Sequence, residues 1–554
     1  MNKKVCSFPI LFALLALLIG TCAVVFPASA QAAPTSTGSI TVSGTVASSY
    51  DAYQIFSANV VDGDSDAKIA TDLAWASDAA RDAVLPVLHS AGMPNSQTTA
   101  QEAAEWLNTD SHLTSALSAQ LARSLQSSGA VSVALNAGTT AGLPCGYWLI
   151  VADDDAIAQG EAGTAPIMAL VGGSAVTVKP KAATPKVAKH VLEDSTAAWQ
   201  KAADATVADD LYWRLSATVP AGLTAYDTYT VQFVDTMSAG LDPSKVAASM
   251  RVYVAAGADG GFDAVSTGRD GRAGTDPAKG WTDITAQYRV SADGKTFTVR
   301  TGDLIAALGG ADAFTAGARV VAVYNAPLNS ACSHGIAKGN PNEVYLRYPR
   351  SPFADQSGDA GFTRTPSDNA CAYTWDLALT KRGSDGDKPL AGAVLSIADD
   401  RGRTLAADGA WDAEGKATVT TGEDGLVTVS GVDSGKLEVR ELKAPKGYTA
   451  FEGTRSVTVK AEGLDVDQVA AAKPKLTITA ESPLRADSAD GSTGSLEASL
   501  INTPTGTPPS ITTGGFMPST GDMAMYAAAA AAVAGAALIV VALLVKRGGG
   551  SHKE

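Results

Sequence analysis

From residue 187 to residue 502 the chain is written in short runs whose apolar residues return at every second position, with turn residues between the runs. That period belongs to half-buried β-strands and not to helices. In the first half of this region the runs fall at 212–219, 229–234, 250–255, 296–299, 319–324 and 343–348. Asp293-Gly294 reads as a hairpin turn, and the Gly/Asp-rich stretch 257–280 as a surface loop. Strands that follow one another without helices bury their apolar faces against a second sheet, so this region is expected to be mainly β and built as sandwiches.

Three runs carry an anomaly. Trp375, Leu377, Leu379 and Lys381 share one face, as do Leu437, Val439 and Glu441, and as do Leu496, Ala498, Leu500 and Asn502. An amine, a carboxyl and an amide therefore each end an apolar face. A lone buried charge costs several kcal/mol, so these groups need one another. A buried Lys–Glu pair with Asn as hydrogen-bond partner would satisfy them. Desolvation also drives Lys neutral and Glu protonated. Neutral Lys381 could then attack the Asn502 carboxamide with Glu441 moving protons, releasing ammonia and leaving an isopeptide bond. Leu-Glu-Val-Arg-Glu-Leu-Lys-Ala-Pro-Lys-Gly-Tyr at 437–448 resembles the E-box of Cna-B-type pilin domains. Leu379-Thr380-Lys381 ahead of Leu390-Ala391-Gly392-Ala393 resembles that family's first strand, and Ile501-Asn502-Thr503-Pro504 its last. The resemblance implies a Lys381–Asn502 isopeptide promoted by Glu441.

The region 187–368 repeats the plan less faithfully. Val187, Lys189 and Val191 share a face, and so do Val231, Phe233 and Asp235. Phe233-Val234-Asp235-Thr236 followed by Gly240-Leu241 resembles the middle Cna-B-like domain of backbone pilins. On the closing strand Val344, Leu346 and Tyr348 bring Arg350 to the inner face by parity, where that family carries Asn. Asn342 has the right parity but lies at the other end of the strand. A guanidinium offers no carbonyl to attack and stays charged. The expectation is that Asp235 serves as its counter-ion and that the domain lacks the bond; a register shift would bring Asn342 to Lys189 instead.

Before residue 187 the pattern is mixed. A strand at 40–43 leads to apolar residues at 50–56, and strands return at 147–151, 166–170 and 175–178. Between them Ser77 can cap a helix over 78–89. Thr99-x-x-Glu102 is a capping box opening a helix through Trp106, and Asp110 can cap a segment with Leu113, Leu117, Leu121 and Leu125 on one face, ended by Gly129. This reads as an α+β domain. Val176-Thr177-Val178-Lys179-Pro180-Lys181 closes it and resembles the pilin motif, which supplies the acceptor lysine of sortase-assembled pili. Lys181 matches the acceptor. Tyr is replaced by Lys179 and Asn by Ala182, and Lys179 and Lys186 are rival nucleophiles.

Both ends carry targeting features. Lys3-Lys4, an apolar stretch over 10–25 and Ala28-Ser29-Ala30 form a secretory signal peptide cut after Ala30. A lipoprotein reading at Cys22 fits less well, because Thr21 precedes it. At the other end Met517-Pro518-Ser519-Thr520-Gly521, an unbroken apolar run over 524–545 and Lys546-Arg547 follow one another. The run is about the ~20 residues a membrane-spanning helix needs. The order resembles the L-P-x-T-G sorting signal of Gram-positive surface proteins, with Met517 in place of Leu. It implies that a sortase cuts between Thr520 and Gly521 and passes the Thr520 carbonyl to an amine.

The net charge of −15 over 554 residues argues against nucleic acid as a partner. Of five cysteines, Cys6 and Cys22 leave with the signal peptide, and among the other three Cys332–Cys371 is the candidate disulfide. Asp62-x-Asp64-x-Asp66 lacks the glycine and closing Glu of a calcium loop. The five histidines show no metal spacing, and neither metal nor cofactor is expected. The expected organisation is signal peptide 1–30, α+β domain 31–180, linker 181–186, middle Ig-like sandwich 187–368, Cna-B sandwich 369–505, spacer 506–516 and sorting signal with transmembrane helix 517–554. The resemblance implies a backbone subunit of a covalent pilus, Thr520 of one copy joined to Lys181 of the next. Its partners would be sortase, further copies of itself, peptidoglycan and ancillary pilins. The alternatives are an ancillary pilin or a monomeric wall-anchored adhesin, and, from another class, a surface hydrolase, for which no nucleophile elbow or phosphate loop is present.

Overall fold

The apolar run at 147–151 forms most of the strand Gly146–Ala152, and its residues bury alternately to two sides. Leu149 and Val151 pack under the helices, whereas Trp148, Ile150 and Ala152 face a smaller sheet. A strand covered on both faces has no polar side, which is why the sequence there is continuously apolar. The protein is described by a computed structural model covering residues 36–506 except 44–46, 65–66, 110, 181–183, 222, 263–264, 268–272, 276–279 and 315. The signal peptide, Lys181, most of the spacer and the sorting signal with Thr520 and Gly521 lie outside the described residues. Among the described residues no helix is long and apolar enough to cross a membrane.

The first domain has a five-stranded sheet in which Lys68–Trp75, Ser49–Asp62, Gly146–Ala152 and Ile167–Val171 lie side by side and Ser132–Asn136 adds to the second. The smaller sheet orders Gly138–Pro144, Thr37–Val42 and Val176–Val178, the last two parallel. The helices run Asp78–Ser90, capped by Ser77, and Ala100–Asn108, opened by the Thr99/Glu102 capping box. The third, Ser115–Ser127, starts later than expected: Thr114 is its cap, Leu113 stays outside it, and the buried stripe is Leu117, Leu121 and Leu125. The acidic stretch after Val61 serves structure, since the Asp62 carboxylate receives Lys68 Nζ at 3.0 Å and Ser174 N at 2.8 Å.

The middle domain is a sandwich. One sheet orders Ala198–Gln200, Lys186–Glu193, Tyr212–Val219, Ala318–Asn325, Arg251–Ala256 and Trp281–Asp283. The facing sheet orders Ala202–Asp204, Asp368–Tyr373, Asn340–Pro349, Gln232–Met237, Thr296–Arg300 and Arg289–Asp293, with Phe362–Arg364 beside Asn340–Pro349. Asp293 pairs with Thr296 across the expected turn, and Gly294 takes φ +60° there. The third domain is a second sandwich. Leu426–Val432, Trp375–Gly383 and Ser495–Pro504 lie on one side, and Val394–Ala398, Gly435–Lys443, Thr454–Glu462 and Lys475–Ala480 on the other.

The two sandwiches share a strand. Asp368–Tyr373 pairs within the middle domain, yet only Ala370 and Ala372 enter that core; Cys371 and Tyr373 enter the core of the third domain. This overturns the Cys332–Cys371 disulfide. Both residues are free thiols, and Cys332 packs into the middle core while Cys371 points into the other one. The same joint is closed by the Asp204 carboxylate, which accepts from Trp375 Nε1 at 2.6 Å and Ser434 N at 2.9 Å. Arg403 clasps Asp209 with Nη1 at 2.5 Å and Nη2 at 2.8 Å.

Candidate functional site

Alternation along Trp375–Gly383 carries Lys381 inward, and alternation along Gly435–Lys443 carries Glu441 inward from the opposite sheet. Ser495–Pro504 runs parallel to the first strand in the register Lys381↔Leu500, so Asn502 sits one inward position further along. The three side chains meet in the core, where Lys381 is 0% and Asn502 2% exposed. Lys381 Nζ stands 3.6 Å from Glu441 Oε1 and donates to the Leu500 carbonyl at 3.2 Å. Asn502 Nδ2 donates to both Glu441 oxygens, at 2.9 and 3.1 Å. The carboxyl thus touches the leaving nitrogen of the amide and faces the amine. Burial lowers the Lys381 pKa to about 8. About a tenth of such an amine is neutral at pH 7, against a few parts in ten thousand for an ordinary lysine.

The middle domain gathers a similar set differently. Lys189 comes from Lys186–Glu193, while Asp235 and Asn342 both come from the facing sheet, where Met237 pairs with Asn342. All three are 0% exposed. Lys189 Nζ donates to Asp235 Oδ2 and, at 2.8 Å, to the Tyr324 hydroxyl. Burial brings the Lys189 pKa down to about 8 and pushes that of Asp235 up, so both groups are driven toward their neutral forms. The expected partner of Lys189 is corrected here. Arg350 turns away from this core and donates through Nη1 to the Asp154 carbonyl of the first domain at 2.9 Å. Its strand ends at Pro349, so parity no longer governs the next residue. Asn342 takes the place assigned to Arg350, so the third member of this cluster is an amide and not a guanidinium.

In both clusters the amide oxygen, Asn342 Oδ1 and Asn502 Oδ1, is buried without a hydrogen-bond partner among the described residues, as is Asp235 Oδ1. Each such atom costs about 1–3 kcal/mol, and a buried atom left without a partner calls for an explanation, of which a catalytic role is one. Tyr324 is the residue that sequence reasoning missed. It continues the apolar face of Val320 and Ala322, and a core tyrosine reads there as one more aromatic.

At the end of the first domain Val178 is buried 3% exposed beside Val42, and Lys179 just after it is exposed. Lys186, at the start of the next domain, is exposed as well.

The fold and these clusters define a class: tandem β-sandwiches with a buried amine, acid and amide in each, behind an α+β domain. The SpaA family, described as a prealbumin-like fold domain, matches residues 376–473, which include Lys381 and Glu441 and stop before Asn502. The trypsin-resistant surface T6 protein of Streptococcus pyogenes serotype M6 is 30% identical over 143 residues. That alignment spans only 24% of this chain and 24% of that protein. Among solved structures, the T6 backbone pilin of serotype M6 Streptococcus pyogenes superposes with a TM-score of 0.47 at 16% identity, covering 86% of this chain and 100% of that one. The full-length major pilin SpaD from Corynebacterium diphtheriae gives 0.41 at 16% identity, over 84% and 98%.

Proposed function

We propose that this chain is a structural subunit of a covalent cell-surface pilus, cross-linked internally at Lys381–Asn502 and Lys189–Asn342. The observation that carries the reading is the Asn502 amide, held by both oxygens of Glu441 among buried residues beside Lys381. Attack of neutral Lys381 Nζ on the Asn502 carbonyl carbon forms the C–N bond and expels ammonia, and Glu441 takes the amine proton and returns one to the leaving nitrogen. The geometry suits load bearing. Lys381 lies on the first strand of its domain and Asn502 on the last, so the tie lets tension pass from one to the other without stretching the chain between. The shared strand and the Asp204 and Arg403 contacts would carry that load into the middle sandwich. The T6 relative is a surface protein by name, and the sorting signal and Lys181 supply the two ends of an intersubunit link by a sortase.

The middle bond gives a separate prediction. The full chain should contain two ammonia fewer than its sequence, and a digest should hold both a Lys381–Asn502 and a Lys189–Asn342 branched peptide. Loss of one ammonia with free Lys189 and Asn342 peptides would make the middle cluster a buried ion pair only.

A further inference from the structure

The two clusters differ at one point, and the difference assigns work to a residue. In the third domain the acid reaches the leaving nitrogen itself. In the middle domain the acid is an aspartate, one methylene shorter. The Asp235 oxygen that bonds, Oδ2, is occupied by Lys189 and Tyr324, and Oδ1 has no partner among the described residues. Asn342 Nδ2 donates to the Tyr324 hydroxyl instead, at 2.8 Å. That hydroxyl also receives Lys189 Nζ at 2.8 Å and donates to Asp235 Oδ2 at 3.1 Å. Two lone pairs and one hydrogen are thereby all used. One oxygen touches both nitrogens that the reaction exchanges, and the acid between them.

We propose that Tyr324 is a catalytic residue of the middle-domain cross-link, the relay that carries a proton from Asp235 to the departing nitrogen of Asn342. The inference rests on the reading that Lys189 and Asn342 react. Protonated Asp235 gives its proton to the Tyr324 oxygen while the Tyr324 hydrogen passes to Asn342 Nδ2, which leaves as ammonia. Lys189 Nζ forms its bond to the Asn342 carbonyl carbon as the bond to Nδ2 breaks, and the amine proton it releases returns to Asp235. Protons balance, Asp235 and Tyr324 end as they began, and no further reactant is needed. Burial holds the Tyr324 hydroxyl well above its ordinary pKa, which suits a relay that never ionises. Its ring is fixed for the task, edge-on to Phe297 at 5.0 Å between centroids.

The test follows both branched peptides in time during cell-free synthesis of the full chain. In Tyr324→Phe the Lys189–Asn342 peptide should form on the order of a hundredfold more slowly, with Lys381–Asn502 forming at the wild-type rate as an internal control. Adding Asp235→Glu to Tyr324→Phe lengthens the acid into the space the hydroxyl leaves, and should restore the middle bond. A merely structural tyrosine would not be replaced by a longer acid. Wild-type speed in Tyr324→Phe overturns the relay and spares the bond. A slow single variant that the added Glu does not rescue assigns Tyr324 to packing and also overturns it. Absence of the Lys189–Asn342 peptide from the wild type overturns the bond itself, and the relay with it.

Discussion

Glu441→Gln should leave the third domain folded and uncross-linked. The substitution keeps the shape of the side chain and removes the group that moves protons, so Lys381 and Asn502 should appear as two free peptides in a digest of the variant and as one branched peptide in the wild type. The effect on stability is expected to be large. The bond closes a loop of ~120 residues, and restraining an unfolded chain over that length stabilises the fold by about 5 kcal/mol. For a domain of this size that corresponds to a melting temperature lower by about 20 °C. Lys381 would in addition lose its carboxylate partner while remaining buried, and an uncompensated buried charge costs about 3–5 kcal/mol unless the amine stays neutral. Its pKa near 8 permits the neutral form. A branched peptide persisting in Glu441→Gln would show that the carboxyl is dispensable, and two free peptides in the wild type would reduce the cluster to an ion pair.

The third-domain cluster could be read from the chain because each of its members breaks a rule. Lys381, Glu441 and Asn502 stand where parity demands an apolar residue, and a charge in such a place announces itself. The capping signals at Ser77 and Thr99 were legible for the same local reason, whereas Thr114 competes with Asp110 four residues earlier and only packing decides between them. What parity does not reveal is which residues meet across a sandwich. It places Asn342 and Arg350 on one face of one strand and is silent on which end of that strand lies over Lys189. Pro349 then ends the strand before Arg350 is reached. Tyr324 obeys the pattern, and its hydroxyl shows only when the facing sheet is in place. The cysteines failed for a related reason. From Ala370 to Tyr373 the strand is buried on both sides, so neighbours along it belong to different cores, and the chain gives no sign that one strand serves two domains.

In the producing bacterium, Lys181→Arg should collapse a ladder of covalent polymers in wall extracts to the single subunit, with wall anchoring intact. An acyl group held at Thr520 needs an amine that is accessible and can lose its proton. The strand Val176–Val178 buries its last residue, and the chain leaves the sheet immediately after it, with Lys179 exposed. Lys181 follows two residues later, past Pro180, in the segment that joins the first domain to Lys186–Glu193. A guanidinium keeps the charge and length of the side chain but stays protonated and makes no amide, so Arg removes the nucleophile while preserving the surface. Because each subunit would offer one acceptor, the loss should be complete and not graded. Lys179→Arg and Lys186→Arg should leave the ladder unchanged. A ladder that survives Lys181→Arg and disappears with either of the others would move the acceptor to that lysine. A single band from the wild type would make the chain a wall-anchored monomer, in which the internal cross-links stiffen a solitary stalk and the linker lysines have no acyl group to receive.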